Sequence, residues 1–475
     1  MKYIRLILPM FCVLMFISCS EAPIYKKPTI PAPDTYKGNT TIWQPAQPAD
    51  HMSRGEWWKE YHDPTLNDMI VRLDAANAGL AVAMAHFDQA TAYSAQAHAG
   101  YFPTVSAGAY TTRNQQSETR ALRSKTQPNN YGDNAIGLLV NYEVDLWGRV
   151  RNQVEAGEAG AQAAEADLES IHLSLRAQLA NDYLTLRMLD AQSKLLKDEI
   201  DAYSKASELT QNRFQNGIDS ALDVSRAKVQ LEMANVKLVE ISTSRSLYEH
   251  AIATLVGESA SSFSIVPKLV AIEVPAVPVG IPATLLQRRP DIAAAERRLA
   301  EANAKIGIAK SAFFPAINLS AAVGFESTLQ SALLSAPSLF WSIGPSALLT
   351  IFDSGRRQSV VDQADAVFKE TSAQYRSTVL SAFQEVEDNL TLLNNLSEQS
   401  ITLNEAVSET NHTLDIAMNR YREGISSYLE VVTAQASAQQ VQLDQLSLKR
   451  RELQASVNLI RALGGGWDST QLSSR

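Results

Sequence analysis

Two stretches of the chain are spelled almost alike: NRFQNGIDSALDV begins at Asn212, and NRYREGISSYLEV begins at Asn419, 207 positions later. Both keep Asn-Arg, Gly, Ile, Ser, Leu and Val in register. The segment TLVG at Thr254 to Gly257 returns as ALGG at Ala462 to Gly465, 208 positions later. An echo of fixed period means duplicated architecture. Any fold for this chain has to be assembled from two similar halves, each carrying the same turn at the same place.

Each half has the same internal grammar. A helical region over about 64–99 ends at AGYFPTVSAGAYTT, and a second ends at SAFFPAINLSAAVGFES, so Phe102-Pro103 is answered by Phe314-Pro315. Proline stops the helix and biases its predecessor toward extended backbone. Beyond it Ile317, Leu319, Ala321, Val323 and Phe325 alternate with Asn318, Ser320, Ala322, Gly324 and Glu326, which is strand periodicity. Alternation also marks strands at about 104–113, 136–146 and 341–352, with Pro345 interrupting the last. Each has roughly the 9–11 residues that a tilted strand needs to cross a bilayer. Four strands are too few to close a barrel, and open sheet edges are not tolerated in lipid. Several copies must share one barrel.

The rest reads as long helix. From Arg149 to Thr210 there is no Pro, and about 60 residues at ~1.5 Å each would reach ~90 Å. Helices follow from Ala221 to Val256, Gly355 to Arg422 and Leu429 to Leu463. In the last, Leu429, Ala436, Leu443 and Val457, joined by Val432, Leu446, Leu453 and Ile460, form a coiled-coil-like stripe. Gln439 and Arg450 break it, which favours side-by-side helix packing over a simple two-stranded coil.

The first eighteen residues, MKYIRLILPMFCVLMFIS, join a basic start to a short apolar run, as a secretory signal does. MFISC then resembles the bacterial lipobox, which makes Cys19 the candidate lipidation site. Phe16 and Ile17 depart from its usual residues, and an ordinary signal with an incidental Cys is the alternative. At most one Cys remains in the mature chain, so no intramolecular disulfide can form. Loss of Lys2 and Arg5 takes the formal charge from −9 to −11, with no clustered basic surface of the kind nucleic acid requires. The 7 His include no pair at helical ligand spacing, and there is no Walker loop or G-x-S-x-G. No catalytic residue, metal ligand set or cofactor is expected. The scattered Met residues give no thioether cluster.

The segments WWKEYHDPTLNDMI, YEVDLWGRVR, LLQRRPDIAAAERRLAEANAKIGIAKSAFFPAINLSAAVGF, IFDSGRR and ALGGGW, in this order and duplicated, resemble the TolC-like outer membrane factor family in its lipoprotein branch. The resemblance implies an α+β membrane protein, a homotrimer whose 12-stranded outer membrane β-barrel takes four strands per protomer and continues as a long periplasmic α-helical barrel. It further implies a passive exit duct working with a periplasmic adaptor and an inner membrane RND-type transporter, in outer membrane lipid and with no nucleic acid. Residues 1–18 are then signal, 19–60 a lipid-anchored arm, 61–257 the first repeat, 258–284 a proline-rich crossover, 285–465 the second repeat and 466–475 a tail. A pore-less coiled-coil lipoprotein and a secretion duct are the competing functions.

The same resemblance places the hairpin tips, at about 212–224 and 419–431, at the periplasmic mouth. Leu429 matches a hydrophobic constriction position and Glu430 an acidic entrance position. Asp223 matches a residue that latches the closed entrance, with Tyr421 one of its hydrogen-bonding partners. Thr433 and Ser426 depart from an Asp and a latch Arg found in some members. The residues themselves offer a plainer role: Ser220-x-x-Asp223 and Ser427-x-x-Glu430 have capping-box spacing, and Gly217 and Gly424 suit helix ends.

Overall fold

The computed structural model describes residues 20, 22–31, 36–37, 54–121, 124, 126–275, 285–467 and 472. The expected signal and Cys19 lie outside them. A 3-10 segment, Arg54–Tyr61, leads into α1 (Pro64–Ala76) and α2 (Ala78–His98), then β1 (Thr104–Gln115), β2 (Asn130–Glu143), α3 (Arg149–Gln215) and α4 (Ala221–Leu255). After a short turn at Leu285–Arg288 come α5 (Pro290–Ser311), β3 (Ala316–Ser327), β4 (Leu339–Leu348), α6 (Arg356–Arg422) and α7 (Tyr428–Ala462). Both α3 and α6 have 67 residues and both α4 and α7 have 35, with every boundary repeating at the 207-residue offset. At ~1.5 Å per residue the long helices reach ~100 Å.

The one helical region expected over 64–99 is two helices. Asn77 ends the first and caps the second: its Oδ1 accepts from Leu80 N at 2.9 Å, while its Nδ2 donates to Leu255 O at 2.7 Å. Pro64 and Pro290 each open a helix, where a missing N–H costs nothing.

The four strands form one antiparallel sheet in the order β1-β2-β3-β4. Its register puts Val105, Val140, Ala321 and Ile343 in one row, and Ala107, Leu138, Val323 and Trp341 in the next. That face is apolar from edge to edge, yet Leu138, Val323, Ile343 and Trp341 are all exposed in the single chain. The opposite face carries Ser106, Asn141, Ser320 and Ser342, with Gly108, Gly137 and Gly324 forming a cross-strand row. A Cβ on Gly324 would come within 2.4 Å of Ile136 O, so these strands approach closely only because side chains are missing there.

Two strand ends differ from expectation. The second strand starts at Asn130 and stops at Glu143, because Asp145 turns away to cap α3, accepting from Val150 N at 3.0 Å and Arg151 N at 2.9 Å. Asp145 therefore does not line the polar face with Gly137, Asn141 and Glu143. The fourth stops at Leu348, since Asp353 does the same for α6, accepting from Gly355 N and Arg357 N, each at 3.2 Å. Gly148 and Gly355, with φ of 77° and 85°, make the left-handed step that turns strand into helix.

The largest core lies at the waist, where Leu66, Ile70 and Leu73 of α1 meet Leu179, Tyr183 and Leu186 of α3 and Phe263 and Ile265 of the crossover. A buried ion network fastens it: Asp190 accepts from Arg187 at 2.9 Å and Arg245 at 2.7 Å, and those guanidiniums also hold the carbonyls of Val266 and Ile265. In α7 the stripe expected through Leu429, Ala436 and Leu443 is not buried over that stretch, whereas its continuation at Leu453 and Val457 is. Tyr428, Val431, Gln435, Ala438 and Gln439 are buried, because α7 turns that side toward α3 as well as α6.

Candidate functional site

Both tips are built by the same backbone device. Ile218 N donates to Arg213 O and Ile425 N to Arg420 O, each at 2.9 Å, while Gly217 N and Gly424 N donate back to Phe214 O and Tyr421 O at 3.0 Å. This is the Schellman helix stop, and it needs the left-handed conformation that Gly217 and Gly424 adopt, with φ of 75° and 78°.

Past the turn the two copies differ. Ser220 and Asp223 form a complete capping box, with Asp223 N donating to Ser220 Oγ at 3.2 Å and Ser220 N to Asp223 Oδ2 at 3.3 Å. Asp223 also stands 3.6 Å from Arg226. Ser427 makes no such side-chain bond, so the second box is not formed. Its acid, Glu430, is the repeat mate of Asp223 and pairs instead with Arg420 at 3.5 Å, both side chains about half exposed. Leu429 is 47% exposed and its mate Leu222 is 57% exposed. Thr433 returns its hydroxyl to Leu429 O at 2.8 Å.

Tyr421 is buried and ties the two tips together. Its hydroxyl donates to Asp219 Oδ2 in the first hairpin and lies 3.2 Å from Thr210 Oγ1. Arg213 places its Nε 3.2 Å from both Asp219 oxygens, donates from Nη1 to Tyr421 O at 3.3 Å, and sits 4.6 Å from the Tyr421 ring centre. Tyr428 meets that ring edge-on at 5.3 Å. Burial first, then the hydrogen bond to Asp219, pushes the Tyr421 phenol up to about 12, so it stays a donor throughout the physiological range.

Within the chain the tip thus brings Tyr421 to Asp219 and not to Asp223, whose carboxylate is engaged in its own helix cap. Asp219 and Arg213 were not singled out from the sequence. For Asp219 the signal lay in a difference between the copies: Asp219 and Tyr421 stand where the other copy has Ser426 and Phe214, whereas Arg213 is matched by Arg420 and carried no such signal.

The family model for outer membrane efflux proteins matches residues 69–258 and 281–465, which are the two repeats. The chain belongs to the outer membrane efflux protein family. Over 451 residues it is 32% identical to the probable efflux pump outer membrane protein TtgC of Pseudomonas putida, covering 94% of this chain and 93% of that relative. The outer-membrane channel OprN has 30% identity and a TM-score of 0.86, over 94% of this chain and 100% of that one. The open state of the MtrE outer membrane channel of Neisseria gonorrhoeae has 27% identity and a TM-score of 0.82, over 95% and 99%. Likeness over whole lengths makes the four-stranded sheet and the paired hairpins features of this efflux-protein fold, in which the tips lie at the end opposite the sheet.

Proposed function

We propose that three copies of this chain close one barrel in the outer membrane and form the exit duct of a tripartite efflux system, fed by an inner membrane RND-type pump through a periplasmic adaptor. The observation that carries the reading is the sheet. It has a continuous apolar face left exposed, a polar and glycine-rich opposite face, and two outer strands, β1 and β4, with no further neighbouring strand among the described residues. In lipid such edges have to be paired, and the same face pattern describes a wet lumen inside a lipid-facing wall. A pore-less coiled-coil spacer would have no use for it. The family supports efflux over secretion.

The inner mouth is then a ring of six tips. Leu429 narrows and dries it, and Glu430, released from capping duty, adds an acidic ring that favours cations. Asp223 secures the start of α4, and the Tyr421–Asp219–Arg213 cluster holds the second hairpin to the first in the resting state. Ile218 and Ile425, 64% and 62% exposed at the extreme ends, suit apolar contact with the adaptor. Docking that prefers the open arrangement shifts the population toward it. Cys19 as a lipid anchor fits the position of Ser20, which packs beside Gly148 at the foot of the sheet.

Conductance of the purified trimer in planar bilayers tests the duct and its gate together. Wild type is expected to open rarely, and Leu429→Ala with Glu430→Ala to conduct several-fold more while remaining trimeric. A silent double variant that is properly assembled would remove the duct reading.

A further inference from the structure

Ser20 sits in a cradle formed where α3 of the first repeat meets α5 of the second. Its Oγ donates to Asn152 Oδ1 at 3.2 Å, and its Cα stands 3.2 Å from where a Cβ on Gly148 would lie. Gly307, near the C-terminal end of α5, closes the other side. A Cβ there would fall 2.5 Å from Asn152 Nδ2 and 2.7 Å from the Cβ of Ala22, so nothing larger than glycine fits without displacing the arm. Asn152 is 0% exposed and its Nδ2 has no hydrogen-bond partner. A buried amide donor left unpaired costs about 1–3 kcal/mol, and such groups call for a specific acceptor.

The internal duplication shows that helix packing alone does not demand this arrangement. The repeat mate of Asn152 is Ser359, which spends its hydroxyl on Gly355 O in its own helix at 3.2 Å. The mate of Gly307, counted from the Phe102 and Phe314 pair, is Ala95. Asn152 of the first repeat and Gly307 of the second meet under the arm, and neither residue type recurs at its mate position. From the cradle the arm runs down α5: Asn303 Nδ2 donates to Pro23 O at 2.8 Å, and Tyr25 donates to Glu296 Oε1 at 2.5 Å.

We infer that Gly148, Asn152 and Gly307 form a socket for the lipidated amino terminus, in which Asn152 Nδ2 donates to a carbonyl oxygen of an acyl group carried by residue 19. This rests on the reading of Cys19 as the lipidated residue. One peptide bond separates that residue from Ser20, at the level where the apolar face of the sheet gives way to helix. Ester and amide carbonyls of membrane lipids lie at that same boundary between hydrocarbon and water. The socket would hold the head of the anchor against the duct, so that the anchor braces the arm as well as retaining the protein in the membrane.

The test is a two-by-two comparison on full-length trimers: wild type, Asn152→Ala, Cys19→Ala behind a leader cut by the ordinary signal peptidase, and the double variant. Intact mass first establishes whether residue 19 carries acyl chains, so a failure of the lipidation reading is seen separately. Trypsin cleavage at Lys26–Lys27 then reports how often the arm leaves its groove, since slow cleavage follows the open population. Loss of the Ser20–Asn152 bond speeds cleavage in both backgrounds, and Asn152→Ala is expected to speed it about two- to tenfold further in the lipidated protein, as loss of one more hydrogen bond would. Equal acceleration in both backgrounds, or none in the lipidated one, overturns the assignment. Gly307→Ala serves as the packing control and should speed cleavage in both.

Discussion

At the scale of single residues the tip turns on one hydroxyl. Tyr421 and Asp219 lie 202 positions apart, in different repeats, and their bond joins the two hairpins together with the contact from Arg213 to the Tyr421 carbonyl. Asp219 keeps Arg213 when the tyrosine is lost, so Tyr421→Phe removes a neutral donor from a charged acceptor without stranding the carboxylate. Such a bond is worth about 1.5–3 kcal/mol. Tyr421→Phe is therefore expected to loosen the tips, seen as faster amide exchange around Asp219 and Tyr421 and a higher opening frequency in bilayers. Asp219→Ala should do more, because Arg213 then loses its partner beside a buried ring. Combining the two should add little, since both act on one contact. Full additivity in that double-mutant cycle would show that the phenol and the carboxylate act separately.

At the scale of elements, the two hairpins are alike in backbone and unlike in how α4 and α7 begin. The Ser220 box is formed and the Ser427 box is not, although both have the spacing. Ser220→Ala is expected to cost about 1 kcal/mol of local stability, with faster hydrogen exchange at the Leu222 to Val224 amides, whereas Ser427→Ala should leave the start of α7 unchanged. The comparison also shows what a sequence can carry. Helix lengths, glycine stops and strand alternation are local, and they were legible: Gly217, Gly424, Pro290 and the Ile317 to Phe325 face stand where the pattern put them. Which of two carboxylates caps a helix depends on a competing Arg420 one turn away across the loop, and spacing does not record that. The same limit hid the caps made by Asp145 and Asp353, which ended two strands early, and the buried side of α7. A coiled-coil stripe counts apolar residues, but this helix turns Gln435 and Gln439 inward.

At the scale of the whole molecule, the duplication specifies how copies meet. Within the chain α3 packs along α5, and β2 pairs with β3; the repeat mates of those first partners, α6 and β4, have no corresponding α2 or β1 to pack on. The surfaces left bare match one another: Leu348, Ile351 and Phe352 lead from β4 into α6, and Tyr93, Tyr101 and Phe102 lead from α2 into β1, all exposed. If a second copy supplies the missing contact by the rule used inside the chain, the seam has a definite register. The ladders β1–β2 and β3–β4 match when β1 is shifted by 212 and β2 by 207, since Val105 opposite Val140 becomes Ile317 opposite Ala347. Applying the same shifts to Val140 opposite Ala321 places Ala347 opposite Ala109 of the partner subunit. Facing residues have Cβ atoms ~4.5–5.5 Å apart, near what a disulfide bridges. With Cys19 replaced by Ala, so that the cysteine expected in the mature chain cannot compete, Ala347→Cys together with Ala109→Cys should give an oxidant-dependent ladder of dimer and trimer on denaturing gels. Ser346→Cys with Ala109→Cys should not, because a one-residue shift moves the side chain to the other face. A ladder from the second pair and none from the first would mean that the seam between copies departs from the pairing within them, and that the duplication does not extend to the way the barrel closes.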